Sequence, residues 1–268
     1  MKILKKIVVG FLGFILFLYL LLCLLLYVYQ EKLIFFPTKL SSNFEYKFSQ
    51  NFEEISILTT DKIKLNGLLF KVDSSKGVIF YLHGNAGALD TWADVAPLYT
   101  SLHYDVFLLD YRGFGKSESV IKNEEQFYLD IQTAYDAIKN RYDEKKMIVL
   151  GYSIGTGSAA MLASKNHPKQ LILQAPYYSL IDMMTHSYPI VPTFLLKYKF
   201  KTYEFVQQTK SPIVIFHGNE DEVIYYGSSL KLKPFLKPTD TLITLDKAGH
   251  NGMTDNLQYQ LALKKILN

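Results

Sequence analysis

A chain of 268 residues can form one large domain with a sizeable core, and its 49% apolar share is that of a globular protein. The net charge is +4, but Lys2, Lys5 and Lys6 supply three of the basic residues. The other 26 face 25 acids, which excludes a basic surface for nucleic acid. Arg112 and Arg141 are the only arginines, so bidentate phosphate recognition has few candidates, and the single cysteine, Cys23, excludes an intrachain disulfide.

The first segment is apolar. Ile7 to Tyr29 carries no charge, and at ~1.5 Å rise per residue it reaches roughly 35 Å, enough to cross a ~30 Å hydrocarbon layer. A signal peptide has a shorter apolar stretch and a small-residue cleavage site. This run leaves through Tyr27-Val28-Tyr29-Gln30, and Cys23 follows Leu22, which makes a poor lipoprotein site. Residues 1–30 therefore read as an uncleaved membrane anchor. The lysines before the run place the N-terminus in the cytoplasm and the main domain on the far, extracytoplasmic side.

Residues 31–50 read as a connector, with Leu33-Ile34-Phe35-Phe36-Pro37 at the membrane surface or packed on the domain. The domain is expected over 51–268. Ile55–Leu58 and Ile63–Val72 read as an antiparallel hairpin around Thr60-Asp61-Lys62. Gly77–Leu82 is a continuous apolar run, a strand covered on both faces, ending in His83-Gly84-Asn85-Ala86-Gly87. A helix over Leu89–Leu102 and a buried strand over Val106–Leu109 follow, the latter ending in Asp110-Tyr111-Arg112-Gly113-Phe114-Gly115. Asn123 and Gln126 have capping-box spacing ahead of a helix with Phe127, Ile131, Ala134, Tyr135 and Ile138 on one face.

Met147–Gly151 is the next strand and Ile154–Asn166 the next helix, joined by Gly151-Tyr152-Ser153-Ile154-Gly155. A strand at Gln170–Gln174 leads to an aromatic stretch over 177–209. Pro189 and Pro192 cut it into short helical pieces, so it reads as a small cap over the sheet edge. Strands at Ile213–Phe216 and Leu242–Leu245 and helices at Gly227–Phe235 and Asp255–Leu267 complete the chain. Alternating short strands and helices imply α/β architecture, a mostly parallel sheet with helices on both faces. Ligands of such sheets sit beyond the carboxyl ends of the strands, where every polar motif above lies.

Strand, sharp turn with serine at its tip, then helix is a nucleophile-elbow pattern, the glycines removing Cβ atoms where strand and helix crowd. By usage alone, Gly-x-Ser-x-Gly arises in about one chain in ten of this length, so Ser153 needs partners. A serine hydroxyl is a poor nucleophile without a base. Among the six histidines, His250 sits in a glycine-flanked loop after the last strand and can reach the serine; His83 and His217 read as structural, and His103, His167 and His186 carry no distinguishing context. The acid that orients the base is assigned to Asp221, with Glu220 and Glu222 as alternatives. The oxyanion donors are assigned to the backbone N–H groups of Ile154 and Asn85, with Ala86 the near alternative to Asn85. The order Ser153, Asp221, His250 is that of an α/β-hydrolase. Neither a metal-ligand spacing nor a cofactor motif is apparent, so no cofactor is expected.

Taken in order, Glu31-Lys32-Leu33-Ile34-Phe35-Phe36-Pro37 after an anchor, His83-Gly84-Asn85-Ala86-Gly87, Asp110 to Ser117, Gly151-Tyr152-Ser153-Ile154-Gly155, His217-Gly218 with Asp221, and Gly249-His250 resemble the α/β-hydrolase superfamily. Within it the chain looks like the membrane-anchored BEM46-type hydrolases, relatives of the serine-aminopeptidase-like group. The resemblance spans nearly the whole chain and implies the α/β-hydrolase fold and a serine hydrolase with Ser153, Asp221 and His250 as triad. It implies little about the substrate. In such sequences the turn at Asp110 to Gly113 looks like scaffold, with Arg112 pairing locally. Tyr225 stands where the family often has proline, a departure expected to affect loop shape only. The expected activity is cleavage of an ester or related acyl bond in a small acyl or lipid-like substrate. A serine peptidase or acyltransferase with the same triad is the alternative. A tethered binding or scaffold protein is the non-enzyme reading, and three intact groups argue against it.

Overall fold

A computed structural model describes residues 1–267. Helix α1 (Lys2–Val28) is followed by a short α2 (Gln30–Ile34) and a two-residue strand β1 (Phe36–Pro37). The body then runs β2 (Phe52–Leu58), β3 (Lys64–Phe70), β4 (Val78–Leu82), β5 (Ala86–Gly87), α3 (Leu89–Trp92), α4 (Ala96–Thr100), β6 (Asp105–Leu109), α5 (Glu124–Lys139), β7 (Met147–Tyr152) and α6 (Gly155–Lys165). After β8 (Gln170–Gln174) come α7 (Leu180–Ser187) and α8 (Thr202–Gln208). The chain closes with β9 (Ile213–Gly218), α9 (Gly227–Leu232), β10 (Thr241–Leu245) and α10 (Leu257–Leu267).

Eight strands form one sheet in the order β10-β9-β8-β7-β4-β6-β3-β2, parallel throughout except where β3 runs antiparallel to β2 and β6. The central strands β4, β6 and β7 are buried along their whole length, which is why they read as unbroken apolar runs rather than alternating ones. Alternate residues of these strands feed two cores. Phe80, Phe107 and Val149 face α5 and α6, whereas Ile79, Tyr81 and Leu150 face α4 and α10. From β4 the chain goes to β6 on one side and returns to β7 on the other, so the strand order switches at β4 and β7 and opens the crevice in which ligands of such sheets bind.

Helix α5 starts as its spacing implies. The Asn123 side chain accepts from the Gln126 N–H at 2.8 Å, and the Gln126 side chain reaches back to the Lys122 N–H at 2.9 Å. Its buried face is Phe127, Ile131, Ala134, Tyr135 and Ile138, with Asp130 added. The helix expected over 89–102 is instead broken: α3 and α4 are joined by a 3₁₀ turn at Ala93–Val95.

Of the two placements expected for Leu33 to Pro37, packing on the domain is the one found for Phe35, and the expectation for Arg112 changes. The connector is an integral part of the body: β1 pairs in parallel with β5, and Phe35 is buried among Phe114, Phe127, Tyr198 and Phe200, while Leu33 and Phe36 stay exposed. Arg112 does not pair locally. It grips Asp61 in the β2–β3 turn through two bonds of 2.8 Å and Asp130 on α5 through bonds of 2.7 and 2.8 Å, clamping the hairpin to the helix.

Candidate active site

Ser153 lies between β7 and α6 at the carboxyl edge of the sheet. Its φ is +53°, the left-handed region that a non-glycine residue occupies only where surrounding contacts hold it there. Those contacts are visible. The Ser153 N–H donates to the Gln174 carbonyl at the end of β8 at 2.9 Å, and its own carbonyl accepts from the Thr156 amide and hydroxyl. A Cβ on Gly151 would strike the Gly155 carbonyl and Ala159. One on Gly155 would strike the Leu82 and His83 carbonyls. The elbow is therefore wedged directly against the end of β4.

His250 Nε2 stands 3.1 Å from Ser153 Oγ, and its Nδ1 stands 2.8 Å from Asp221 Oδ2. All three side chains are buried. The Asp221 carboxylate accepts at both oxygens. Oδ1 takes the Val223 and Ile224 N–H groups at 2.9 and 2.7 Å, and Oδ2 also lies 3.2 Å from His217 Nε2. Burial acts to raise its pKa. The bonds from His217 and His250 outweigh it and hold the carboxyl well below the usual range, so it is ionised. An ionised acceptor at Nδ1 keeps the proton on that nitrogen and turns the Nε2 lone pair toward Ser153, as a general base requires. Glu220 and Glu222, the alternatives for the acid, are exposed and make no bond to His250.

His217 is held as a structural residue. Its Nε2 lies 2.8 Å from the Ile224 carbonyl, which can only accept, so Nε2 carries the proton and Nδ1 accepts from Ser229 at 2.6 Å. His83 is likewise internal, its Nδ1 on the Gly84 carbonyl at 2.7 Å, and burial pushes its pKa down to about 4, leaving it neutral. Asp110 holds the start of α3, just after this loop, accepting from the Leu89 N–H at 3.1 Å.

The Asn85 loop sits beside the elbow. Its carbonyl accepts from the Phe36 N–H at 2.8 Å and its side chain donates to the Ile34 carbonyl at 2.9 Å. Both handles are used by the connector, which leaves the backbone N–H. Among the described residues, neither that N–H nor the Ile154 N–H donates to another backbone group outside regular elements. Two residues that motif reading passes over also act here. Tyr152, a variable position of the elbow, donates to the His250 carbonyl at 2.8 Å, and Tyr111 donates to the His83 carbonyl at 2.7 Å. Nothing in sequence spacing marks either one. Trp92 packs over Gly84 and beside Tyr152, whose ring neighbours His250, so an aromatic cluster runs from the Asn85 loop to the His250 loop. No group of three or more metal-ligating side chains occurs among the described residues.

The chain is similar to several known proteins. The family model described as serine aminopeptidase, S33, matches residues 73–205, a span that includes the Asn85 loop and the elbow and ends before Asp221. The protein bem46 of Schizosaccharomyces pombe is 29% identical over 216 residues, 74% of this chain and 72% of its own length. The α/β hydrolase domain-containing protein 17C of Xenopus tropicalis is 28% identical over 197 residues, 72% of this chain but 62% of its own length. Among solved structures, an esterase of Pyrococcus furiosus superposes with a TM-score of 0.70 at 19% identity, covering 87% of this chain and 96% of that one. The α/β hydrolase GrgF from Penicillium superposes with a TM-score of 0.64 at 15% identity, covering 81% and 96%. At such identities the solved structures establish the α/β-hydrolase fold.

Proposed function

This chain is a BEM46-like α/β-hydrolase, and on that premise we propose that it is a membrane-anchored serine hydrolase acting on an ester or related acyl bond. The observation that carries the reading is the hydrogen-bonded line from Ser153 through His250 to an ionised Asp221. Ser153 attacks the acyl carbonyl while His250 Nε2 takes its proton. The developing oxyanion is received by the N–H groups of Ile154 and Asn85. His250 then protonates the leaving group. A water that gives up its proton to His250 hydrolyses the acyl-enzyme and returns Ser153 to its starting state. Residues 1–30 serve as anchor, 31–50 as connector and 51–268 as the hydrolase domain, with 177–209 as its cap. The lysines preceding the apolar run favour an extracytoplasmic domain.

Ser153→Ala is expected to abolish labelling by a fluorophosphonate probe and to reduce hydrolysis of short p-nitrophenyl esters to background. Undiminished turnover in that variant would overturn the assignment. A peptidase reading uses the same residues and is favoured by the name of the matching family model. Release of an N-terminal residue from peptide amides, with esters left intact, would select it.

A further inference from the structure

The cap loop between α7 and α8 leaves the body and runs alongside the anchor. The Ile190 carbonyl accepts from the Tyr19 hydroxyl at 2.9 Å. The Gln30 side chain donates to the Leu195 carbonyl at 3.0 Å and accepts from the Lys197 N–H at 2.7 Å. From Tyr19 to Val28 helix α1 rises roughly 14 Å at ~1.5 Å per residue, and Gln30 opens α2 just beyond it. The loop thus spans the same stretch of height as the last turns of the apolar run.

Its composition suits that position. Between Asp182 and Lys197 the chain contains no Asp, Glu, Lys or Arg. Tyr188, Ile190 and Phe194 are 65%, 73% and 82% exposed, a run of large apolar side chains with no protein cover. Pro189 and Pro192 carry no N–H, so two backbone donors that hydrocarbon could not satisfy are missing from the tip, and the Ile190 carbonyl is already satisfied by Tyr19. Charge resumes at the level where the anchor ends: Lys197 pairs with Glu31 at 3.2 Å and lies 4.9 Å from the Tyr27 ring, and Lys199 and Lys201 follow. Aromatic and lysine side chains together at one height are what a membrane–water interface selects.

We propose that the loop Tyr188–Phe194 is inserted into the bilayer beside the anchor, with lipid acyl chains as its partner. The proposal rests on reading residues 7–29 as a membrane span. One helix joins this loop to the acid of the candidate triad: in α7, Asp182 accepts from the Tyr225 hydroxyl and His186 stacks on the Tyr225 ring at 3.8 Å, four residues beyond Asp221. The cap is thereby held at the lipid surface, where an acyl substrate dissolved in the membrane would meet it.

The test places tryptophans in the full-length protein reconstituted into phosphatidylcholine vesicles whose acyl chains carry bromine, a contact quencher. Phe194→Trp changes an exposed side chain, and the Trp92 signal is taken from the parent protein. Leu16→Trp reports on the anchor alone. Quenching of the Phe194→Trp signal by about twofold or more, alongside quenching of Leu16→Trp, is the expected result. Leu16→Trp quenched with Phe194→Trp no more affected than the parent would overturn the loop insertion and leave the anchor standing. Quenching at neither position would overturn both.

Discussion

Asp221 and Asp110 are buried carboxyls pushed in opposite directions. For Asp221 the sign follows from its bonds. Its folded pKa lies below the ~3.9 of an unfolded aspartate, so its contribution to stability is present above that value and is lost as pH falls below it. Asp221→Asn keeps an acceptor for the Val223 and Ile224 amides but removes the charge that fixes the His250 tautomer. It is expected to lower kcat on a p-nitrophenyl ester by about 10³- to 10⁴-fold with little change in KM, read from saturation kinetics. Asp110 has fewer donors, and burial pushes it up to about 7. A folded pKa above the unfolded one stabilises fully below pH ~4, and this contribution is lost as pH rises through about 7. Asp110→Asn preserves the acceptor for the Leu89 N–H and is expected to flatten the fall in stability between pH 5 and pH 8, measured as urea midpoints at the two pH values.

The elements that hold these residues contribute through contacts between distant segments. Arg112 is 2% exposed and satisfies an Asp130 carboxylate that is itself buried. Arg112→Ala leaves that charge without its partner and separates the β2–β3 turn from α5, so a loss of about 3 kcal/mol or more is expected in denaturant unfolding. The two glycines of the elbow work by absence. Gly155→Ala would set a methyl against the end of β4, where backbone cannot yield, and a cost of about 1–3 kcal/mol is expected together with loss of ester turnover.

For the molecule entire, the connector and the sheet edge that carries Ser153 are one assembly. Phe35 belongs to the core, β1 pairs with β5, and Ile34 and Phe36 hold Asn85 by its side chain and its carbonyl. Removing residues 1–29 is therefore expected to release the protein from the membrane pellet while preserving turnover of a soluble short-chain ester. Removing residues 1–36 takes away Phe35 and the pairing partner of the Asn85 loop. Turnover is then expected to fall at least tenfold, with a lowered thermal midpoint.

Ser153 and Asp221 could be put forward from sequence as candidates because each follows a buried strand, and buried strands of a parallel sheet announce themselves as short apolar runs, whereas His250 follows the half-exposed edge strand β10 and is marked only by its glycine-flanked loop. The same runs, alternating with helices such as α5 whose apolar face repeats at helical period, were enough to imply the wound sheet. The acid was narrowed to three neighbours, and only the fold separates them: Asp221 alone turns inward to His250, while Glu220 and Glu222 face solvent. Local periodicity likewise could not say that the connector would add a strand beside Asn85, that Arg112 would reach Asp61 and Asp130, or that Tyr152 would brace the His250 carbonyl. Each of these joins residues far apart in the chain. Sequence pattern records which face of an element is buried, but the partner on that face is chosen only when the elements pack.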